Sequence, residues 1–249
     1  MSLEDKVAAV YGGGGAIGGA VARAFARHGA RVFLAGRSGE PMERVVAEIE
    51  AAGAVAESTV LDALDEAAVD AFVDDVAGKA GRIDVSFNLI GLGDVQQPLT
   101  EISVDDFLTP ITTAMRSHFL TTRAAARHMI PQGSGVVLAF GGSGPQTMPG
   151  LGGFKIALDA LEGLRRQWAC ELGGHGIRVV TLTTGGVPES IPADFATRQQ
   201  ITEGIARSGL LGRAATLSDV GEVAAFVASD AARTITSAAV NMSCGAIVD

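Results

Sequence analysis

Val7-Ala8-Ala9-Val10-Tyr11-Gly12-Gly13-Gly14-Gly15-Ala16-Ile17-Gly18-Gly19-Ala20 is the stretch on which the fold turns. Val7 to Val10 form a short apolar run of strand character, and the residues from Ala16 to His28 form an alanine-rich helical segment that stops at Gly29. Between them lies a run of glycines. Glycine permits a tight turn and lets backbone N–H groups approach a bound anion, while the start of the following helix adds partial positive charge. A glycine run alone is weak, because a purely structural turn accounts for it equally well. The order strand, loop, helix is what points to a nucleotide pyrophosphate held by Gly12, Gly15, Ala16, Ile17 and Gly18.

Outward from this loop, apolar and β-branched runs recur at Arg31 to Ala35, Ala54 to Leu61, Val85 to Leu89, Gly135 to Phe140, Ile177 to Thr181 and Ala239 to Met242. Helical stretches separate them. Pro41 to Ala52 starts on a proline and ends before Gly53, and Asp65 to Ala77 ends before Gly78. Alternation of this kind implies an α/β fold, a doubly wound, seven-stranded and mostly parallel sheet with helices on both faces. A composition of 47% hydrophobic but only 5% aromatic residues, with 33 glycines, suits a core of Ala, Val, Leu and Ile. The length of 249 residues fits one such sheet, so residues 1–249 are expected to form a single domain. The stretch 188–213 interrupts the rhythm with Pro188, Pro192, Gly209 and Gly212. It follows the sixth strand at the carboxyl edge, where an open sheet carries a substrate loop; a plain surface connection is the alternative.

A net charge of −9 argues against nucleic acid and anionic membrane surfaces and favours a small-molecule ligand or substrate. Cys170 and Cys244 are too few for a disulfide framework or zinc cluster and read as small buried hydrophobes. No metal-ligand spacing is present. No apolar segment approaches the roughly 18 residues needed to span a bilayer, and none at the start resembles a leader, so cytoplasmic residence is expected.

The whole chain resembles the short-chain dehydrogenase/reductase family, whose first loop usually reads T-G-x-x-x-G-x-G. Tyr11 takes the threonine place, Gly12 and Gly18 match the outer glycines, and Ala16 replaces the middle one. Further matches are Asp62-Ala63 after the third strand, Asn88 and Gly91 where the family shows N-N-A-G, and Thr184-Gly185-Gly186-Val187 where it shows P-G-x-V. By this resemblance Asp62 and Ala63 meet adenine, and Gly185 and Val187 border the nicotinamide. The second strand ends in Gly36-Arg37-Ser38 with no acidic residue to grip a ribose 2′-hydroxyl. A guanidinium there suits a 2′-phosphate, so NADP(H) is favoured over NAD(H); an ordinary solvated arginine is the alternative. The resemblance also implies a homo-oligomer, a tetramer or dimer, joined through the helices carrying Ala114 and Phe154.

The family's proton relay is a tyrosine, a lysine four residues on, a serine and an asparagine. Phe154-Lys155-Ile156-Ala157-Leu158, followed by the shared A-L-E-G-L ending, aligns Phe154 with the tyrosine and Leu158 with the lysine. Gly141 falls at the serine and Ala114 at the asparagine. Shifting the register to use Lys155 leaves Leu151 at the tyrosine and breaks the match. Tyr11 is the only tyrosine, and Lys6, Lys79 and Lys155 are the only lysines, so no alignment restores the pair. Phe154, Leu158, Leu161 and Trp168 read as one apolar stripe. His118, one turn beyond Ala114, and Ser143 are weak substitutes, and Asp94, Gln96 and Gln146 are candidates for polar ligand contacts. The expectation is an NADP(H)-binding member of the family, oxidoreductase by resemblance, unable to carry out ordinary Tyr/Lys-assisted ketone or alcohol hydride transfer. A nucleotide- or ligand-sensing pseudoenzyme, or a structural subunit without turnover, stands beside it.

Overall fold

The structure is a computed structural model describing residues 2–141 and 147–248; Ser143 and Gln146 lie outside the described residues. Seven strands form one parallel sheet: β1 (Val7–Tyr11), β2 (Arg31–Gly36), β3 (Ala56–Val60), β4 (Val85–Asn88), β5 (Gly135–Gly141), β6 (Ile177–Thr183) and β7 (Ala238–Asn241). Their order is β3-β2-β1-β4-β5-β6-β7. β1 pairs in parallel with both β2 and β4, so the winding reverses there and opens a crevice at the carboxyl end of β1.

All five residues of β1 are buried, as a strand covered on both faces requires. Ala8 and Val10 enter one core with Phe25, Met42 and Val220, which come from α1 (Ala16–Arg27), α2 (Gly39–Ala51) and α7 (Leu217–Ala228). Val7, Ala9 and Tyr11 enter the other with Phe72 and Met129, from α3 (Glu66–Ala80) and α4 (Val104–Gln132), and Leu172, from α5 (Phe154–Leu172). Period-two alternation in one strand thus feeds two separate cores. The remaining α-helix, α6 (Arg198–Ser208), lies in the excursion after β6, preceded by a 3-10 turn at Pro188–Ser190, and buries none of its residues.

Several boundaries differ from the sequence reading. α3 continues through Gly78 to Ala80 and stops at Gly81, whose φ of 76° is the left-handed stop that Gly78 does not adopt. α2 starts at Gly39, because Pro41 in a first turn forfeits no intrahelical hydrogen bond. The cysteines are not buried hydrophobes: Cys170 faces outward from α5, and Cys244 is half-buried in a turn with φ of 56°. The proposed stripe divides as well, since Phe154, Leu158 and Leu161 share one cluster whereas Trp168 packs into the α3–α4 core and stacks on Phe119.

Candidate functional site

The loop after β1 is held by glycines at two points where no side chain fits. Gly12 has φ of 77°, and a Cβ there would lie 1.7 Å from the Leu89 carbonyl oxygen. Its N–H donates to the Ala35 carbonyl at 2.8 Å, and its own carbonyl accepts from Gly15 N–H at 3.0 Å. At Gly18 a Cβ would meet that same Gly12 carbonyl at 2.2 Å. The turn therefore folds back tightly onto the first turn of α1. Gly15 caps the helix with no side chain, and no acidic residue stands in the first turn. The N–H groups of Ala16 and Ile17 find no acceptor among the described residues, which leaves a positive helix end open at the sheet's switch point.

A cleft of about 590 Å³ lies there. From the expected cofactor set, Gly12, Gly15, Arg37, Ser38, Asp62, Ala63 and Gly91 border it. Arg37 is exposed and has no hydrogen-bond or ion-pair partner among the described residues. Asp62 accepts Leu64 N–H on Oδ1 at 3.0 Å, and the Leu64 carbonyl accepts Arg116 Nε at 2.7 Å, so the loop after β3 is tied to α4. Ala16, Ile17 and Gly18 form the helix start behind the loop. Asn88 is buried, and its Nδ2 donates to Thr121 Oγ1 at 2.9 Å, beneath the cleft floor. Gly185 and Val187 do not border the cleft.

Sequence reasoning missed Met42, Thr109 and Thr113, which also line it. Met42 follows Pro41 in the first turn of α2, a position recoverable from helical period. The two threonines sit four apart on α4 and reach the cleft only because that helix crosses the end of β4, a tertiary fact without a local signal.

Beside the cleft the chemistry changes. Ala114, Ala157, Leu158 and Leu161 form a buried cluster packed by Leu92, Ile111, Met115 and Phe154. Gly141 ends β5 against it, since a Cβ there would meet Leu158 Cδ2 at 3.3 Å. Ala114, Gly141, Phe154 and Leu158, from three separate elements, thus converge on one apolar wall. The approach is enforced at Gly153, where a Cβ would lie 2.0 Å from the Phe107 carbonyl oxygen, so only glycine lets the start of α5 sit on α4. Lys155 points elsewhere and pairs with Asp159 one turn on.

His118 is 7% exposed, and its Nδ1 lies 3.1 Å from the Ala114 carbonyl. Burial pulls its pKa down to about 4, outweighing the favourable carbonyl contact, so the ring is neutral near pH 7. Tyr11 packs edge-on against Phe72 at 5.5 Å. Burial, helped by the nearby Asp70 carboxylate, pushes its phenol well above the usual range, and its hydroxyl has no partner among the described residues. Asp94 bonds to Gln96 at 3.3 Å on the loop following β4. Among the described residues no His, Cys, Asp and Glu group could hold a metal ion, and no helix is long and apolar enough to cross a membrane.

A parallel sheet that reverses at β1, with a glycine turn and a bare helix end at the reversal, defines a doubly wound, Rossmann-like α/β protein. A family profile described as enoyl-(acyl carrier protein) reductase matches residues 14–246. A short-chain dehydrogenase reductase of Arabidopsis thaliana is 34% identical over 245 residues, covering 91% of this chain and 86% of the relative. Meso-2,3-butanediol dehydrogenase of Serratia marcescens is 32% identical over 254 residues, covering 99% and 96%. The structure of an NAD+-bound xylitol dehydrogenase superimposes with a TM-score of 0.89 at 25% identity, covering 98% of this chain and all of that one. The chain belongs to the short-chain dehydrogenase/reductase family.

Proposed function

We propose that this protein binds NADP(H) through its adenosine half and does not perform ordinary Tyr/Lys-assisted hydride transfer between ketones and alcohols. One observation carries the reading: Ala114, Gly141, Phe154 and Leu158 meet in an apolar wall next to a cleft that keeps its phosphate loop. The residues present suit the nucleotide's first half. The N–H groups of Ala16 and Ile17 and the turn at Gly12 to Gly15 would hold the pyrophosphate, Arg37 and Ser38 a 2′-phosphate, and Asp62 and Ala63 the adenine edge.

When bound, the cofactor supplies hydride. A ketone that receives it becomes an alkoxide and needs a proton, and a positioned acid is worth roughly 10²- to 10⁴-fold. Phe154 keeps the ring and lacks the hydroxyl. Leu158 fills space where an ammonium would lower a donor's pKa, and the buried, neutral His118 is no replacement. The protein accordingly acts as a nucleotide-binding pseudoenzyme, with residues 1–249 as one cytoplasmic domain and 188–213 as the excursion on its ligand side. Phe119, 43% exposed and stacked on Trp168, supports assembly of like chains through α4 and α5.

The test is NADPH oxidation by the purified protein with ketones, quinones and enoyl thioesters, alongside an active relative. Ketone turnover within about tenfold of that relative would overturn the reading.

A further inference from the structure

The cleft and the wall divide the cofactor's two halves unequally. Among the described residues, those bordering the cleft come from the β1–β4 half of the sheet and its helices, the loop after β4, or the first turns of α4. On the other side, the 184–187 segment is packed against its own chain. A Cβ at Gly185 would lie 2.6 Å from Ala246 Cβ, and one at Gly186 would lie 2.7 Å from Ile205 Cδ1 of α6. Val187 is buried at 4% exposure. Leu158, at 7% exposure, offers a nicotinamide ribose neither charge nor hydrogen bond. Among the described residues, the charged groups bordering the cleft, Arg37 and Asp62, lie on the phosphate and adenosine side, whereas Val187 and Leu158 on the other side are apolar.

We infer that the site is a reader of 2′-phosphorylated adenosine nucleotides that does not distinguish the oxidised from the reduced dinucleotide. The inference rests on the nucleotide reading above and adds the ligand class: the recognised unit is an adenosine carrying phosphates at its 2′ and 5′ positions, whatever hangs from the 5′ end. The loop N–H groups and Arg37 hold those phosphates, and binding free energy contributed by the remainder of NADP(H) is small. The protein would follow the total pool of such nucleotides and ignore its redox state.

The experiment is calorimetric titration of the full chain with NADP+, NADPH and adenosine 2′,5′-bisphosphate. The three dissociation constants are expected to agree within about fivefold, and the emission maximum of bound NADPH should stay at its free-solution position. A dinucleotide binding more than about fivefold tighter than the bisphosphate, or a larger gap between NADP+ and NADPH, would overturn this inference and leave the nucleotide reading standing. Absence of binding by all three would overturn both. As a second arm, Leu158→Lys should tighten NADP+ and leave the bisphosphate unchanged, because it adds a cation only on the nicotinamide side; equal effects on the two ligands would count against the division of the site.

Discussion

His118 ties the chemistry of the site to the stability of the fold, and its titration can be worked out from its surroundings. The ring is buried on α4 with Nδ1 3.1 Å from the Ala114 carbonyl, which selects the tautomer protonated at Nδ1. Nε2 has no partner among the described residues, so protonating it would place a charge in a dry site. Burial accordingly lowers the pKa from 6.5 to about 4. In the unfolded chain the same ring takes up its proton near the ordinary value, so between these two pKa values the unfolded state holds more protons. Stability should be level above the unfolded pKa, fall as pH drops through it, and level off again below the folded pKa. The shift corresponds to a loss of about 3 kcal/mol once both states are protonated, of which about 2 kcal/mol arises between pH 7 and pH 5. Urea denaturation at those two pH values, for wild type and His118→Gln, isolates this contribution, since the other titrating groups are shared. The wild type should lose about 2 kcal/mol more than the variant. An NMR midpoint for the ring at or above pH 6, or identical pH dependence in the two proteins, would refute the reasoning and restore His118 as a candidate acid.

Two further substitutions test the cleft. Arg37 is exposed with no partner among the described residues, so Arg37→Ala disturbs no internal pair. It should weaken NADP+ binding by about tenfold, the lower end for a charge-assisted contact at an exposed site, and leave NAD+ binding unchanged in calorimetry. Equal losses for both would remove its role. Tyr11→Phe keeps the edge-on packing against Phe72 and deletes a buried hydroxyl that has no partner among the described residues. The variant should be more stable by about 1 kcal/mol in urea denaturation, with nucleotide affinity unaltered; destabilisation of similar size would reveal a satisfied hydroxyl.

Much of this molecule is legible in local sequence. The β1–loop–α1 unit needs only the run from Val7 to Ala20, because the backbone positions at Gly12 and Gly18 forbid a side chain and the neighbouring strand and helix set the direction. All seven strands were readable from apolar and β-branched residues, with edges shifted by one or two residues because ladder pairing, not residue type, decides where a strand stops. The loss of every tyrosine except Tyr11 is likewise a fact of the chain alone.

Other features depended on the third dimension. Nothing near Thr109 or Thr113 marks them as cleft residues; the crossing of α4 brings them there. Gly78 and Gly81 carry the same letter, yet only Gly81 takes the left-handed turn that ends α3. The burial of His118, and with it the neutrality of its ring, likewise belongs to the folded state. Sequence by itself determined that position 154 carries no tyrosine and position 158 no lysine, since an absent hydroxyl or ammonium needs no geometry to be absent. Only the tertiary structure decided that Ala114, Gly141, Phe154 and Leu158 close into one dry wall beside an open phosphate loop, because hydrophobic contact joins residues that the chain keeps up to 44 positions apart.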